Sequence, residues 1–236
     1  STVTVLGGSS ATACLDGGKA LTLELNGKNV ASLYVGRSDG VNSLTVTGTG
    51  DIGSLYVHKD NTADLTGWAG KMDLLYVYGG GKVTLTGGTF EKITLNGNSA
   101  GSLLAPGCAF RYADGSYVPY DAVADVETAV SVVECAFEGW FSSEESASCP
   151  HCAGKAAIRV PVTVDGAASY AFYLTLQKAV DEPGYDDTKA ITLLEAISGD
   201  CQIGKKTIFA MNNKKIDGTV KANDAELGFE GKGGEI

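Results

Sequence analysis

Three cysteines and four tyrosines are the residues of this sequence whose types and spacing suggest chemistry. Cys135, Cys149 and Cys152 form C-x13-C-x2-C, with Pro150 and His151 inside the closing knuckle. Three thiolates at that spacing suit a tetrahedral zinc ion, which needs a fourth donor as well. His151 is wedged between Pro150 and Cys152 and is expected to point away, which leaves the set one ligand short. A disulfide, or a knuckle that binds nothing, would use the same residues. The three thiols therefore stand only as a zinc candidate, and no metal or cofactor is assigned. Tyr34, Tyr56 and Tyr76 recur in Leu-Tyr-Val segments, and Tyr78 follows two residues after the last of them. Side chains alternate along a strand, so inward Leu33 and Val35 turn Tyr34 outward, and the same register turns out Tyr56, Tyr76 and Tyr78. Rungs about 4.8 Å apart would stack the first three as a ladder. Such a row can stack on sugar rings or anchor a protein partner. It can also do no more than stabilise its own sheet through cross-strand contact.

Other chemistries lack material. The chain has 2 histidines, His58 at a turn and His151 in the knuckle, and neither sits beside a partner that would make a nucleophile–base pair. A solvated side chain is the expectation for His58. Cys14 and Cys201 are expected to be buried core thiols. A polysaccharide lyase or glycosidase would need paired carboxylates, or a calcium–carboxylate cluster, on adjacent coils. Asp39, Asp51, Asp60, Asp64 and Asp73 read as turn residues that do not recur at a coil period, and Asp186-Asp187 falls in a loop. No catalytic residue is assigned, and the chain is expected not to be an enzyme.

The elements that must position these residues announce themselves by repetition. Ser32-Leu33-Tyr34-Val35, Ser54-Leu55-Tyr56-Val57 and Leu74-Leu75-Tyr76-Val77 place their tyrosines 22 and 20 residues apart. Between them runs a second beat that ends in Gly27, Gly48, Gly67 and Gly87, at intervals of 21, 19 and 20 residues. A fixed period of this length marks a repeat architecture. Each unit carries short runs of alternating apolar and polar residues with Gly and Asn/Asp turns between them, and no helical period interrupts. A coil of about 20 residues made of strand and turn is one rung of a β-solenoid.

Residues 1–118 read as solenoid coils that end in a hairpin around Phe110–Gly115. The first coil, with its Gly-Gly-Ser-Ser turn at residues 7–10, is the least regular. Residues 119–173 read as a small antiparallel insert. In it, Thr128–Cys135 is strand-like, and Trp140–Ala147 is a polar loop. Ile158–Val164 alternates cleanly into an Asp165-Gly166 hairpin turn. Pro161 inside that run points to an edge strand. Residues 174–236 begin with one short helix, capped by Thr175 and stopped before Pro183-Gly184. They then start a second module. Leu23–Val30 aligns with Phe209–Ile216 at an offset of 186, Cys14 with Cys201 at 187, and Thr4-Val5-Leu6 with Thr192-Leu193-Leu194 at 188. The helix would cap that module's open first coil. The expected fold is all-β: a parallel β-helix (β-solenoid) with a small antiparallel β insert and one short capping helix.

This order of features resembles a family. Apolar coils with a Leu-Asn-Gly-Lys turn come first, then a Cys…Cys-x-x-Cys knuckle, a Leu-x-x-Ala-Val helix and a Thr-Leu-Leu strand. The chain is similar to modules strung along large surface proteins of Gram-positive, host-associated bacteria, which resemble right-handed pectate-lyase-like β-helices. The resemblance implies a secreted, wall-attached protein, commonly an adhesin or host-protein binder and less often a carbohydrate enzyme. It also exposes a departure, since the family's knuckle carries a histidine two residues after its first cysteine and this chain has Phe137 there. Composition narrows the partners. A net charge of −10 disfavours nucleic acid and anionic lipid surfaces, and no apolar run is long enough to span a bilayer. The chain is expected to be a monomeric piece of something longer that recognises a host protein, immunoglobulin-like partners included, or a glycan. A carbohydrate-active β-helix enzyme and a passive stalk are the alternatives.

Overall fold

The computed structural model describes residues 2–6, 12–38, 40–135, 139–142 and 148–231. Asp39, Phe137 and the turn at residues 7–10 lie outside them, as does most of the loop at residues 140–147. The chain divides into two compact units, Ser1–Cys135 with Pro150–Ala153, and Ala136–Cys149 with Gly154–Ile236. No helix among the described residues is long and apolar enough to cross a membrane.

The first unit is a β-solenoid whose coils each give one strand to each of two parallel sheets. One sheet runs Thr2–Thr4, Ala20–Glu24, Ser43–Thr49, Thr62–Ala69 and Lys82–Leu85. The other runs Thr12–Leu15, Val30–Val35, Ile52–Val57, Lys71–Val77 and Thr89–Thr94. Because the coil length is nearly constant, like residues stack on like. Leu33, Leu55, Leu75 and Ile93 form one inward row, and Val35, Val57 and Val77 another. All seven are at most 2 % exposed. The turns follow from left-handed backbone at Asn-Gly pairs, where glycine has no Cβ to strain. Asn26 and Gly27 have φ of 49° and 74°, Asn96 and Gly97 42° and 87°, and the next amide in each case bonds back to Leu25 or Leu95.

Antiparallel pairing ends this stack. Val130–Glu134 runs against Thr89–Thr94, and Cys108–Tyr112 runs against Val130–Glu134. Phe110 thereby packs edge-on to Phe90, and Phe90 edge-on to Trp68, which closes the core with a line of rings. Cys108–Tyr112 turns back through Asp114-Gly115, and Tyr112 N–H donates to the Ser116 carbonyl.

In the second unit, Ile158–Val164 and Ala167–Tyr173 form the hairpin around Asp165-Gly166. Pro161 is not on an edge strand, because Ile191–Leu193 pairs on the other flank of Ile158–Val164. That second pairing reaches only Ile158 and Arg159, so the ladder has ended before the proline's missing N–H would interrupt it. The sheet then continues in parallel through Thr207–Ala210 and Leu227–Glu230. The α-helix Leu176–Val180 buries Leu176, Ala179 and Val180. The aligned segments occupy equivalent register positions: Val3 pairs with Leu23 as Ile191 does with Phe209, and Thr4 with Glu24 as Thr192 with Ala210. Phe209 and Met211 are buried, as are Leu23 and Leu25, and left-handed Asn212-Asn213 replaces Asn-Gly at the turn. The chain is all-β, a parallel β-solenoid arrangement with antiparallel parts and one short helix.

Candidate functional site

The tyrosines lie on the outward face of the second sheet of the first unit. Tyr34, Tyr56 and Tyr76 are direct register partners, with Leu33, Leu55 and Leu75 buried on the other face. Tyr34 and Tyr56 stack at 4.7 Å between ring centroids and 4° between planes, and Tyr56 and Tyr76 at 5.9 Å and 28°. The row is bounded by Cys14, partner of Tyr34, and by Thr94, partner of Tyr76. All three tyrosines are half-buried, chiefly because each ring covers its neighbour.

A second column stands beside the first. Tyr78 follows strand Lys71–Val77 and stacks on His58 at 4.2 Å and 17°, while tilting against Tyr76 at 4.5 Å. His58 is not a solvated turn side chain but a rung, stacked on Tyr78. The signal was present, since His58 follows Tyr56 by the same two residues that separate Tyr78 from Tyr76. The other residue missed is Arg37, whose guanidinium carbon lies 5.0 Å from the Tyr34 ring centre. A guanidinium at that distance is attracted to the ring's negative face. Tyr56 therefore has both faces covered, and Tyr34 has one face on Tyr56 and Arg37 against its ring. What the column offers outward is ring edges and phenol hydroxyls, repeated once per coil.

No family model, no curated protein and no solved structure matches this chain.

The cysteines separate by environment. Cys135, Cys149 and Cys152 are buried, and their sulfur atoms all lie within 4.8 Å of one another. His151 is not one of that group. Its ring stacks on Tyr117 at 4.9 Å, and burial lowers its pKa against the opposing pull of a hydrogen bond with the Val118 backbone. Burial, then the nearby Glu134 and Cys152 charges, raise the pKa of Cys108. Cys14 is exposed, not buried, because it shares the outward row of the tyrosines; its thiol donates to the Asp16 carboxylate at 3.0 Å, which raises its pKa. Cys201 is 1 % exposed, and burial pushes its thiol up to about 11.

These environments predict thiol behaviour. A bulky thiol reagent at pH 8 should label Cys14 in the native protein and Cys201 only after denaturation, as read by peptide mass spectrometry. Native labelling of Cys201 at the rate of Cys14 would contradict its burial. A folded-state thiol pKa raised above the unfolded value stabilises the fold at lower pH. The contribution from Cys201 should be lost as pH climbs from about 8.5 through about 11.

The carboxylates do other work. Asp51 accepts from the Lys71 amide at 3.0 Å, and the Lys71 ammonium pairs with Glu91 at 2.9 Å and lies 3.9 Å from Asp73. Asp64 and Asp73 lie within strands, not turns. Asp64 accepts from the Thr66 amide, and Asp60 takes a left-handed turn conformation. Asp186 is held ionised by Thr188, Lys189 and a backbone amide, with its pKa lowered to about 2. An open cleft of about 380 Å³ beside Arg111 is lined by Thr89, Tyr112 and Ser131 among others.

Proposed function

We propose that this chain is a module of a large secreted bacterial surface protein, and that its tyrosine face recognises a protein partner. The observation that carries the choice of partner is the face-to-face packing of Tyr34, Tyr56 and Tyr76. Stacking on a sugar requires a free ring face, and the central tyrosine has none. A protein edge can instead use the ring edges and the row of hydroxyls, supplemented by Arg37 and His58. Tyrosine suits this role because it offers a large, rigid, amphipathic contact at low entropic cost. The repeat pattern, the Leu-Asn-Gly-Lys turn and the cysteine knuckle support the surface-protein setting.

The test is a screen of arrayed host secreted proteins, immunoglobulins included, alongside a glycan array. Tyr56→Ala should weaken binding to a protein hit by roughly thirtyfold, the effect of losing a central aromatic anchor worth about 2 kcal/mol. Tyr56→Phe should keep the stacking and lose only the hydroxyl's share. Thr84→Ala, an exposed position on the other sheet, should bind as the parent does. Because Tyr56 is sandwiched, its truncation should also lower stability by about 1 kcal/mol. Undiminished binding by Tyr56→Ala would overturn the assignment. The same stacking favours a second reading, a stalk in which the ladder only stiffens the sheet, and that reading predicts lost stability with no array hit.

A further inference from the structure

Cys135, Cys149 and Cys152 come from two places in the sequence, and folding brings their sulfurs within 4.8 Å of one another in a buried position. Cys135 directly follows strand Val130–Glu134, and its amide donates to the Gly107 carbonyl at 2.7 Å. Cys149 and Cys152 belong to a tight knuckle. Pro150 restricts the backbone inside it, Ala153 takes a left-handed φ of 52°, and the Cys149 amide closes the turn on the Gly154 carbonyl at 2.8 Å. Ser148 and Lys155 pair across its base. The knuckle is also pinned from outside, since the Tyr120 amide donates to the Pro150 carbonyl at 2.7 Å and His151 stacks on Tyr117. Cys135 and Cys152 share one compact unit, and Cys149 lies three residues along the chain from Cys152. The trio is thus set by local chain geometry and by one anchored strand end.

We propose that Cys135, Cys149 and Cys152 are three thiolate ligands of a site for a soft divalent cation of the zinc class, whose fourth position is left to water or another small exogenous donor. Zinc takes thiolates at about 2.3 Å, which sets neighbouring sulfurs somewhat under 4 Å apart in a tetrahedron. The observed limit of 4.8 Å needs only a small contraction to reach that geometry. A single disulfide would use two of the thiols and strand the third, whereas one cation uses all three. The ligand set is soft, which selects zinc or a similar thiophilic ion over magnesium or calcium. The site's role is to tie the end of the solenoid's last antiparallel strand to the knuckle. It is independent of the tyrosine face.

The experiment uses the full chain, purified under reducing conditions and titrated with zinc and with cobalt(II) as a spectroscopic probe. The expected result is one equivalent of tightly held metal, thiolate-to-cobalt charge-transfer absorption, and slower alkylation of these three buried cysteines with zinc than without it in urea just below the unfolding midpoint, where buried thiols open to the reagent, mapped by peptide mass spectrometry. The triple variant C135S/C149S/C152S should lose all three signals, while Cys14→Ser and Cys201→Ser should keep them. Should the triple variant fail to fold, the alkylation map of the parent chain with and without zinc still decides. Alkylation of all three thiols at the same rate in both conditions would overturn the proposal. So would a disulfide among them that persists after reduction and zinc addition, or equal metal uptake by the triple variant, which would mean an adventitious ion only.

Discussion

Trp68→Ala should be the most damaging single substitution in the first unit. The indole is 2 % exposed, and its Nε1 donates to the Gly50 carbonyl at 2.8 Å. It packs edge-on against Phe90, which packs in turn against Phe110. Two glycines make room for it: a Cβ at Gly88 would fall 2.3 Å from the ring, and one at Gly70 3.0 Å from it. Removing the ring leaves a cavity that these glycines cannot fill and deprives the Gly50 carbonyl of its partner. Truncations of buried tryptophan cost about 3–5 kcal/mol. For a unit of this size that is a loss of roughly 10–20 °C in Tm, followed by circular dichroism. Trp68→Phe should recover part of the loss, and Gly88→Ala should reproduce much of it. A Trp68→Ala protein that melts with the parent would show that the ring line does not hold the core.

Asn61→Ala comes second, for a different reason. Asn42 and Asn61 are 0 % and 2 % exposed, in equivalent places on successive coils where the chain enters the first sheet. The Asn61 side-chain oxygen accepts from the Asn42 backbone amide at 2.7 Å and from the Asn42 side-chain amide at 2.9 Å. Its own amide nitrogen donates to the Lys59 carbonyl at 2.7 Å, and the Asn42 oxygen in turn accepts from the Lys19 amide at 2.9 Å. Alanine leaves the buried Asn42 backbone amide without its Asn61 acceptor, while the Asn42 side-chain amide keeps only its bond to the Gly40 carbonyl at 3.0 Å. A buried unsatisfied group costs about 1–3 kcal/mol, so about 2–4 kcal/mol is expected by chemical denaturation. Gly36→Ala checks the same ladder independently, because its Cβ would lie 2.1 Å from the Asn61 amide nitrogen. If Asn61→Ala unfolds at the parent's denaturant midpoint, the ladder contributes nothing and the turn is held by the backbone alone.

The solenoid was legible because its rule is local. A coil length of about 20 residues brings identical triplets into register, so Leu33, Leu55 and Leu75 had to share one row and Tyr34, Tyr56 and Tyr76 the other. Asn-Gly turns and the Asp165-Gly166 hairpin were equally readable, since left-handed backbone favours those residue types. The cysteine trio was legible as residue types and spacing, and the structure brings the three together. Cys149 and Cys152 announce a knuckle by themselves, but only folding brings Cys135 to it.

Sequence by itself determined the repeat, the two faces of the Leu-Tyr-Val strands and the row in which each tyrosine sits, because alternation and coil length depend on chain geometry alone. Tertiary structure decided what each face meets. The register that puts Tyr34 outward carries Cys14 outward with it, against the expectation of a buried thiol. Strict alternation from Ala63 and Leu65 would turn Trp68 to solvent, yet a register shift between Thr45 and Thr47 inserts one residue and turns it into the core. Pro161 sits in an interior strand because its neighbour is too short to reach it. The tyrosine rings cover one another, which decides whether faces or edges meet a partner. Each of these outcomes depends on what a neighbouring coil or strand supplies at that position, a fact that no single stretch of sequence contains.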